Sequence, residues 1–146
     1  MEIRSRVGVL LFSCSRPYSA VECVEAAIKA GVSLVDADLC AWDLSGAKLS
    51  RTQLDFVDLQ GALLAGADLT LCSLKGAKLN RARCASVLLD GANLSGAELC
   101  GADLSGVYAR KCLFTGADLR GALYDKHSLL PFDGIEAERL GMILKQ

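Results

Sequence analysis

Between Val32 and Lys126 the hydrophobic and polar positions follow one five-residue beat: a small residue, a polar residue, a leucine, a polar residue, then often glycine. Ala92-Asn93-Leu94-Ser95-Gly96 and Ala102-Asp103-Leu104-Ser105-Gly106 show it at full strength, and every fifth residue from Leu34 to Tyr124 marks 19 units with no insertion. Neither the helical period of 3.6 nor the strand period of 2 keeps a leucine on one face at that spacing. The chain must therefore turn a corner in each unit, and such a strict period predicts a solenoid. The central slot is Leu in 15 of 19 units, with Cys84, Ala109, Phe114 and Tyr124 as the others, so it points inward. Two residues earlier 11 of 19 are Ala, which leaves little room beside each leucine. The residue between them is usually polar and alternates outward. Glycine closes 10 of the 19 units, where the backbone must bend or take a positive φ.

These residues resemble the pentapeptide-repeat family, whose motif is Ala, then Asp or Asn, then Leu, then two variable residues; the resemblance covers about two-thirds of the chain. It implies an all-β solenoid, a right-handed quadrilateral parallel β-helix in which four units make one coil and residues twenty apart stack. On that rule Leu34, Leu54, Leu74, Leu94 and Phe114 form one column, and Leu44, Leu64, Cys84, Leu104 and Tyr124 another. Just under five coils at ~4.8 Å each give a rod that rises roughly 23 Å.

The ends read differently. Residues 1–31 are expected to form an N-terminal strand and a capping helix. Val7 to Phe12 is the candidate buried strand, because the run is shorter than an export signal and carries Phe12 where a small residue is usual. Ser19 and Glu22 form a capping box, and Val21, Val24, Ala27 and Ile28 make the apolar stripe of a helix from about Ala20 to Ala30. Residues 32–126 are the repeats. In 127–146, Pro131 breaks the pattern, Asp133 with Glu136 suggests a second capping box, and Ile135, Leu140, Met142 and Ile143 supply the apolar side of a short helix. Two roles stay open for that segment: sealing its own last coil, or covering the last coil of a neighbour in a homodimer through the C-terminal ends.

Charge narrows the partners. The totals, 16 basic against 17 acidic residues, give a formal net charge of −1, so neither nucleic acid nor an anionic membrane is generally attracted. Seven cysteines at positions 14, 23, 40, 72, 84, 100 and 112 contain no CxxC pair. Cys72, Cys84 and Cys112 are expected inward and Cys40 and Cys100 outward, as thiols of a reducing cytoplasm. The expected setting is a bacterial or phage-derived cytoplasmic protein.

Catalytic, cofactor-binding and metal-ligating constellations are not found in the sequence. His127, beside Ser128 and near Asp125, sits on a connecting loop, where a Ser/His/Asp set does not converge. Asp36 and Asp38 lie on a convex regular wall without a cleft. The candidate interaction face is the outward ladder Asp38, Asp58, Lys78, Glu98 and Asp118. The resemblance offers a DNA-mimicking, gyrase-binding role for such a ladder, with quinolone protection as its outcome. Against it, ~23 Å of duplex carries about 14 negative charges, whereas the repeats hold 11 acidic and 10 basic residues and Lys78 interrupts the ladder. Gyrase-protecting members also use long loop insertions that this chain lacks. Lys75, Lys78, Arg81 and Arg83 are spread over more than one wall without aromatics, so direct nucleic-acid binding is not expected. The expectation is a non-enzymatic scaffold for an unknown protein partner, with Asp103 as a surface residue whose replacement by Ser is nearly silent.

Overall fold

The protein is described by a computed structural model that covers residues 1–16 and 19–146. Its regular part is a stack of twenty-residue coils. Parallel backbone bridges join residues twenty apart, from Asp38↔Asp58 to Asp103↔Leu123. Each outward slot from Asp38 to Leu123 is thus a rung. Leu39 N–H donates to Asp58 C=O at 2.8 Å, and Asp58 N–H donates to Ala37 C=O at 2.9 Å. The same pair of bonds recurs on Leu59 and Lys78, at 2.8 and 2.9 Å. Each wall contributes only a short rung per coil because the chain turns again at once: Ala47 N–H bonds back to Leu44 C=O at 3.0 Å across the corner.

Four units per coil give four walls. Wall one carries the column Leu34, Leu54, Leu74, Leu94 and Phe114; wall two Leu39, Leu59, Leu79, Leu99 and Leu119; wall three Leu44, Leu64, Cys84, Leu104 and Tyr124; wall four Leu49, Leu69, Leu89 and Ala109. Leucines of all four columns, together with the alanines two residues before them, form one continuous buried core. Corners take left-handed backbone. Gly96 has φ +67 with open space around an added Cβ, whereas Arg81 holds φ 58 and Leu71 φ 59 despite their side chains. That conformation costs a non-glycine residue roughly 1–2 kcal/mol, which the bonds to the coils above and below offset.

At the N-terminal end, β1 (Glu2–Ser5) pairs antiparallel with β2 (Leu10–Ser13) and, on its other side, with β3 (Ala37–Asp38) in the first coil. This hairpin differs from the expected single buried strand over Val7 to Phe12. Gly8 at φ +86 turns the chain there, and Val7 and Val9 are 81% and 59% exposed. The buried anchor is Ile3 on β1 instead. Helix α1 (Ala20–Lys29) has the expected capping box of Ser19 and Glu22 and buries Cys23, Val24 and Ala27. Glu25 on α1 accepts a bond from Lys48 N–H at 2.9 Å, which ties the helix to the first coil.

The C-terminal segment covers its own last coil. Leu129 continues wall four below Tyr108, and β5 (Ile143–Leu144) lies parallel under β4 (Leu123–Tyr124). Gly121 N–H reaches Gly141 C=O at 2.8 Å, and Phe132 packs edge-on against Phe114 with centroids 5.9 Å apart. Between them α2 (Gly134–Arg139) buries Ala137. Only half of the second capping box forms. Asp133 accepts from Glu136 N–H at 2.9 Å, but the Glu136 carboxylate turns to Arg139 at 3.5 Å. Ile135, expected on the apolar side of the helix, is 66% exposed.

Candidate functional site

The outward ladder on wall two is real as a stack. Asp38, Asp58, Lys78, Glu98 and Asp118 are bridged in succession down the rod, so the spacing rule places all five on one face. The four carboxylates of the ladder, however, are engaged with their own wall. The Asp38 carboxylate accepts Cys40 N–H at 3.1 Å, and Asp58 accepts Gln60 N–H at 3.0 Å plus the Gln60 side-chain amide. Glu98 accepts from Asn80 Nδ2 at 2.8 Å, while Asn80 Oδ1 accepts Cys100 N–H at 2.9 Å. Asp118 is gripped by Arg120 through Nε at 2.8 Å and Nη2 at 2.6 Å. Hydrogen bonds from Arg120 and then Cys100 hold the Asp118 carboxyl well below the usual carboxylate range. The upper end of the ladder is also flanked by β1, which sets Arg4 beside Asp38.

Local bonding of this kind follows from residue type. An Asp or Asn in the outward slot reaches the N–H two residues on, as Asp43 does to Ser45 at 3.1 Å, Asp68 to Thr70 at 2.9 Å and Asn93 to Ser95 at 3.0 Å. Many of the polar groups on these walls therefore brace corners. Asp103 belongs with them. It accepts Ser105 N–H at 3.0 Å and Ser105 Oγ at 2.6 Å and meets Lys145 at 3.4 Å, so the expectation of a silent Asp103→Ser is corrected.

The residues around His127 form a turn. Ser128 Oγ donates to Leu104 C=O at 3.0 Å, and Asp125 accepts Gly106 N–H at 2.9 Å and His127 N–H at 3.0 Å. These bonds seat the end of the repeats on the coil above. Buried thiols are held neutral: desolvation pushes Cys84 and Cys112 up to about 12 and Cys72 to about 11. Cys40 is exposed and Cys100 half-buried. Among the described residues no cluster of three or more His, Cys, Asp or Glu side chains has metal-binding geometry, and no helix is long and apolar enough to cross a membrane.

The model of the pentapeptide-repeat family matches the chain in eight copies, over residues 33–70, 52–83, 67–106 and 88–123. The chain belongs to the pentapeptide-repeat family. Among solved structures it is similar to a pentapeptide repeat protein from the Arabidopsis thaliana thylakoid lumen, with 24% identity, a TM-score of 0.65, and coverage of 74% of this chain and 73% of that one. It also matches a Nostoc pentapeptide repeat protein at 27% identity and TM-score 0.45, over 90% of this chain and 100% of that one. Rfr23 of the cyanobacterium Cyanothece follows at 33% identity and TM-score 0.38, over 64% and 63% of the two chains. The first of these supports the fold and nothing more specific. No curated protein matches the chain in sequence.

Apolar residues also occupy outward slots. Leu88, Tyr108 and Leu113 stand in slots that the repeat usually fills with polar residues, and they are 38%, 49% and 53% exposed. Their signal was present in the sequence as three departures from the polar slot.

Proposed function

We propose that this pentapeptide-repeat chain is a non-enzymatic scaffold for protein contacts, a right-handed square rod that works in a bacterial cytoplasm. The observation that carries this reading is the division of labour within each unit. Inward slots make one apolar column, corners are braced by short polar bonds, and outward slots stack at a fixed ~4.8 Å spacing. A surface of that kind is stiff, convex and variable by position, which suits docking of another protein and not enclosure of a small substrate. Nucleic acid and membrane are not among the proposed partners, given the mixed charge. A homodimer through the C-terminal ends has a surface to use, since β5 has a strand partner on one side only and Ile143 and Leu144 are each about half exposed.

The DNA-mimic alternative draws no support from the geometry of wall two. Lys78 stands in the middle of the row and Asp118 is paired with Arg120, which leaves three carboxylates on this wall that carry a charge unpaired among the described residues. Tagged protein, cross-linked in the cells that make it, is expected to carry a protein that binds again when both are purified. No rebinding partner would contradict the scaffold reading. Inhibition of gyrase supercoiling at sub-micromolar protein, lost on reversing Asp38 and Asp58 to lysine, would favour the mimic.

A further inference from the structure

The apolar outward residues do not scatter evenly over the rod. On wall three Leu63 and Leu123 are separated by Arg83 and Asp103, and on wall one Leu113 stands below Asn93. On wall four the outward slots read Lys48, Asp68, Leu88, Tyr108 and then Leu129, and bridges join Leu88 to Tyr108 and Tyr108 to Leu129. Three apolar side chains therefore stack in consecutive coils, over about 10 Å of the rod. Leu71, at the corner leaving the same wall, leans over Gly91: an added Cβ there would lie 2.6 Å from Leu71 Cδ2. Leu71 is itself 49% exposed and widens the stripe.

Charge beside this stripe is one-sided in what it offers to a partner. Arg110, Lys111 and Lys126 are exposed, and none takes part in an ion pair found among the described residues. The neighbouring carboxylates face the backbone: Asp90 accepts Arg110 N–H at 2.8 Å, and Asp125 accepts Gly106 and His127 N–H groups. We propose that the C-terminal half of wall four is a docking surface for a segment of another protein that presents apolar side chains among carboxylates. This rests on the scaffold reading and assigns its wall and the chemistry of its partner. Half-exposed leucine and tyrosine supply the anchors, since tyrosine offers much contact area for little side-chain entropy. The three cations supply orientation and a salt-dependent on-rate. A lipid surface is the weaker match, because Asp68 and Asp90 lie on the same wall.

The test uses a fluorescein-labelled helical peptide with leucines along one stripe and glutamates elsewhere, a counterpart with lysine for glutamate, and vesicles of phosphatidylglycerol. Fluorescence polarisation is expected to show micromolar binding of the glutamate peptide, binding of the lysine peptide at least about tenfold weaker, and a fall in affinity as salt shortens the screening length. L88S/Y108S should abolish binding, and K111E/K126E should reverse the preference. Phe56→Ser, at the corner between walls one and two, should change nothing. Binding to neither peptide, retention of binding by L88S/Y108S, or binding to the vesicles alone would overturn the proposal. A cellular partner that still rebinds L88S/Y108S would move the dock to another wall and leave the scaffold reading standing; no rebinding partner at all would remove both.

Discussion

Cys84 replaces a leucine in the wall three column and makes alkaline stability a sharp probe of the core. The side chain is 2% exposed, and desolvation, with a smaller contribution from the Asp103 charge, pushes its thiol from an ordinary 9.0 up to about 12. Below pH 9 the thiol is protonated in both folded and unfolded chains and contributes no pH dependence. Between about 9 and 12 the unfolded chain releases the proton and the folded chain keeps it, so the unfolded state binds fewer protons and stability falls as pH rises. At about pH 10.5 the unfolded thiol is ionised by some one and a half units, which at about 1.4 kcal/mol per unit is about 2 kcal/mol lost through this one group. Urea melts followed by circular dichroism at about pH 8 and pH 10.5, on the native chain and on Cys84→Ala, isolate that loss from the titration of lysines and tyrosines. Cys84→Ala should be the less stable protein at the lower pH, by about 1 kcal/mol for the lost side chain. The gap should close or reverse at the higher pH. Parallel pH dependence of the two proteins would refute the placement of Cys84 in a dry column.

Leu94→Asp puts a carboxylate without a partner into the wall one column, where Leu94 is fully buried, and should cost several kcal/mol in the same melts. Asp103→Ser exchanges the carboxylate that accepts from Ser105 and Lys145 for a shorter, uncharged acceptor and should cost about 1 kcal/mol, a loss that conversion to asparagine should partly restore. Gly91→Ala should cost more than Gly96→Ala, because both bear a positive φ but only the first meets a side chain, Leu71; equal melting temperatures would contradict the corner geometry. Deleting the chain after Lys126 strips Phe132, α2 and β5 from the last coil and should turn one sedimenting species into aggregates or end-to-end stacks, because unpaired rungs are open to neighbours.

The repeats were legible because each unit satisfies its inward, corner and outward demands with residues that sit five apart. Leu34 to Tyr124 were placed inward by the five-residue beat alone, and their columns came from the twenty-residue coil that the family resemblance implies. The capping box of α1 was legible for the same reason, since Ser19 and Glu22 act over three residues. The N-terminal hairpin was not, because the turn at Gly8 and the antiparallel run of β1 against β3 depend on how Arg4 and Ser5 meet Asp38 and Ala37 thirty residues away. Strand β5 was hidden similarly: Ile143 and Leu144 join β4 only after α2 has taken up the intervening chain. On wall two the stack was readable, but the state of its carboxylates was not, since Asp58 or Asp118 as a letter does not show that its oxygens turn back to Gln60 or Arg120. Leu88 and Tyr108 were visible as exceptions to a polar slot, and the twenty-residue rule that stacks wall two makes them consecutive rungs as well.

On the scaffold reading the rod works by presenting outward rungs to another protein. A scan with a photoreactive amino acid at one outward slot per wall, Gln53, Asp58, Arg83 and Tyr108, in cells that make the protein tests it most directly. Cross-links to a discrete protein band from Tyr108, with the other three walls dark or faint, are the predicted result. Equal labelling from all four walls or no protein adduct from any of them would contradict it, and adducts confined to Asp58 would move the dock to wall two.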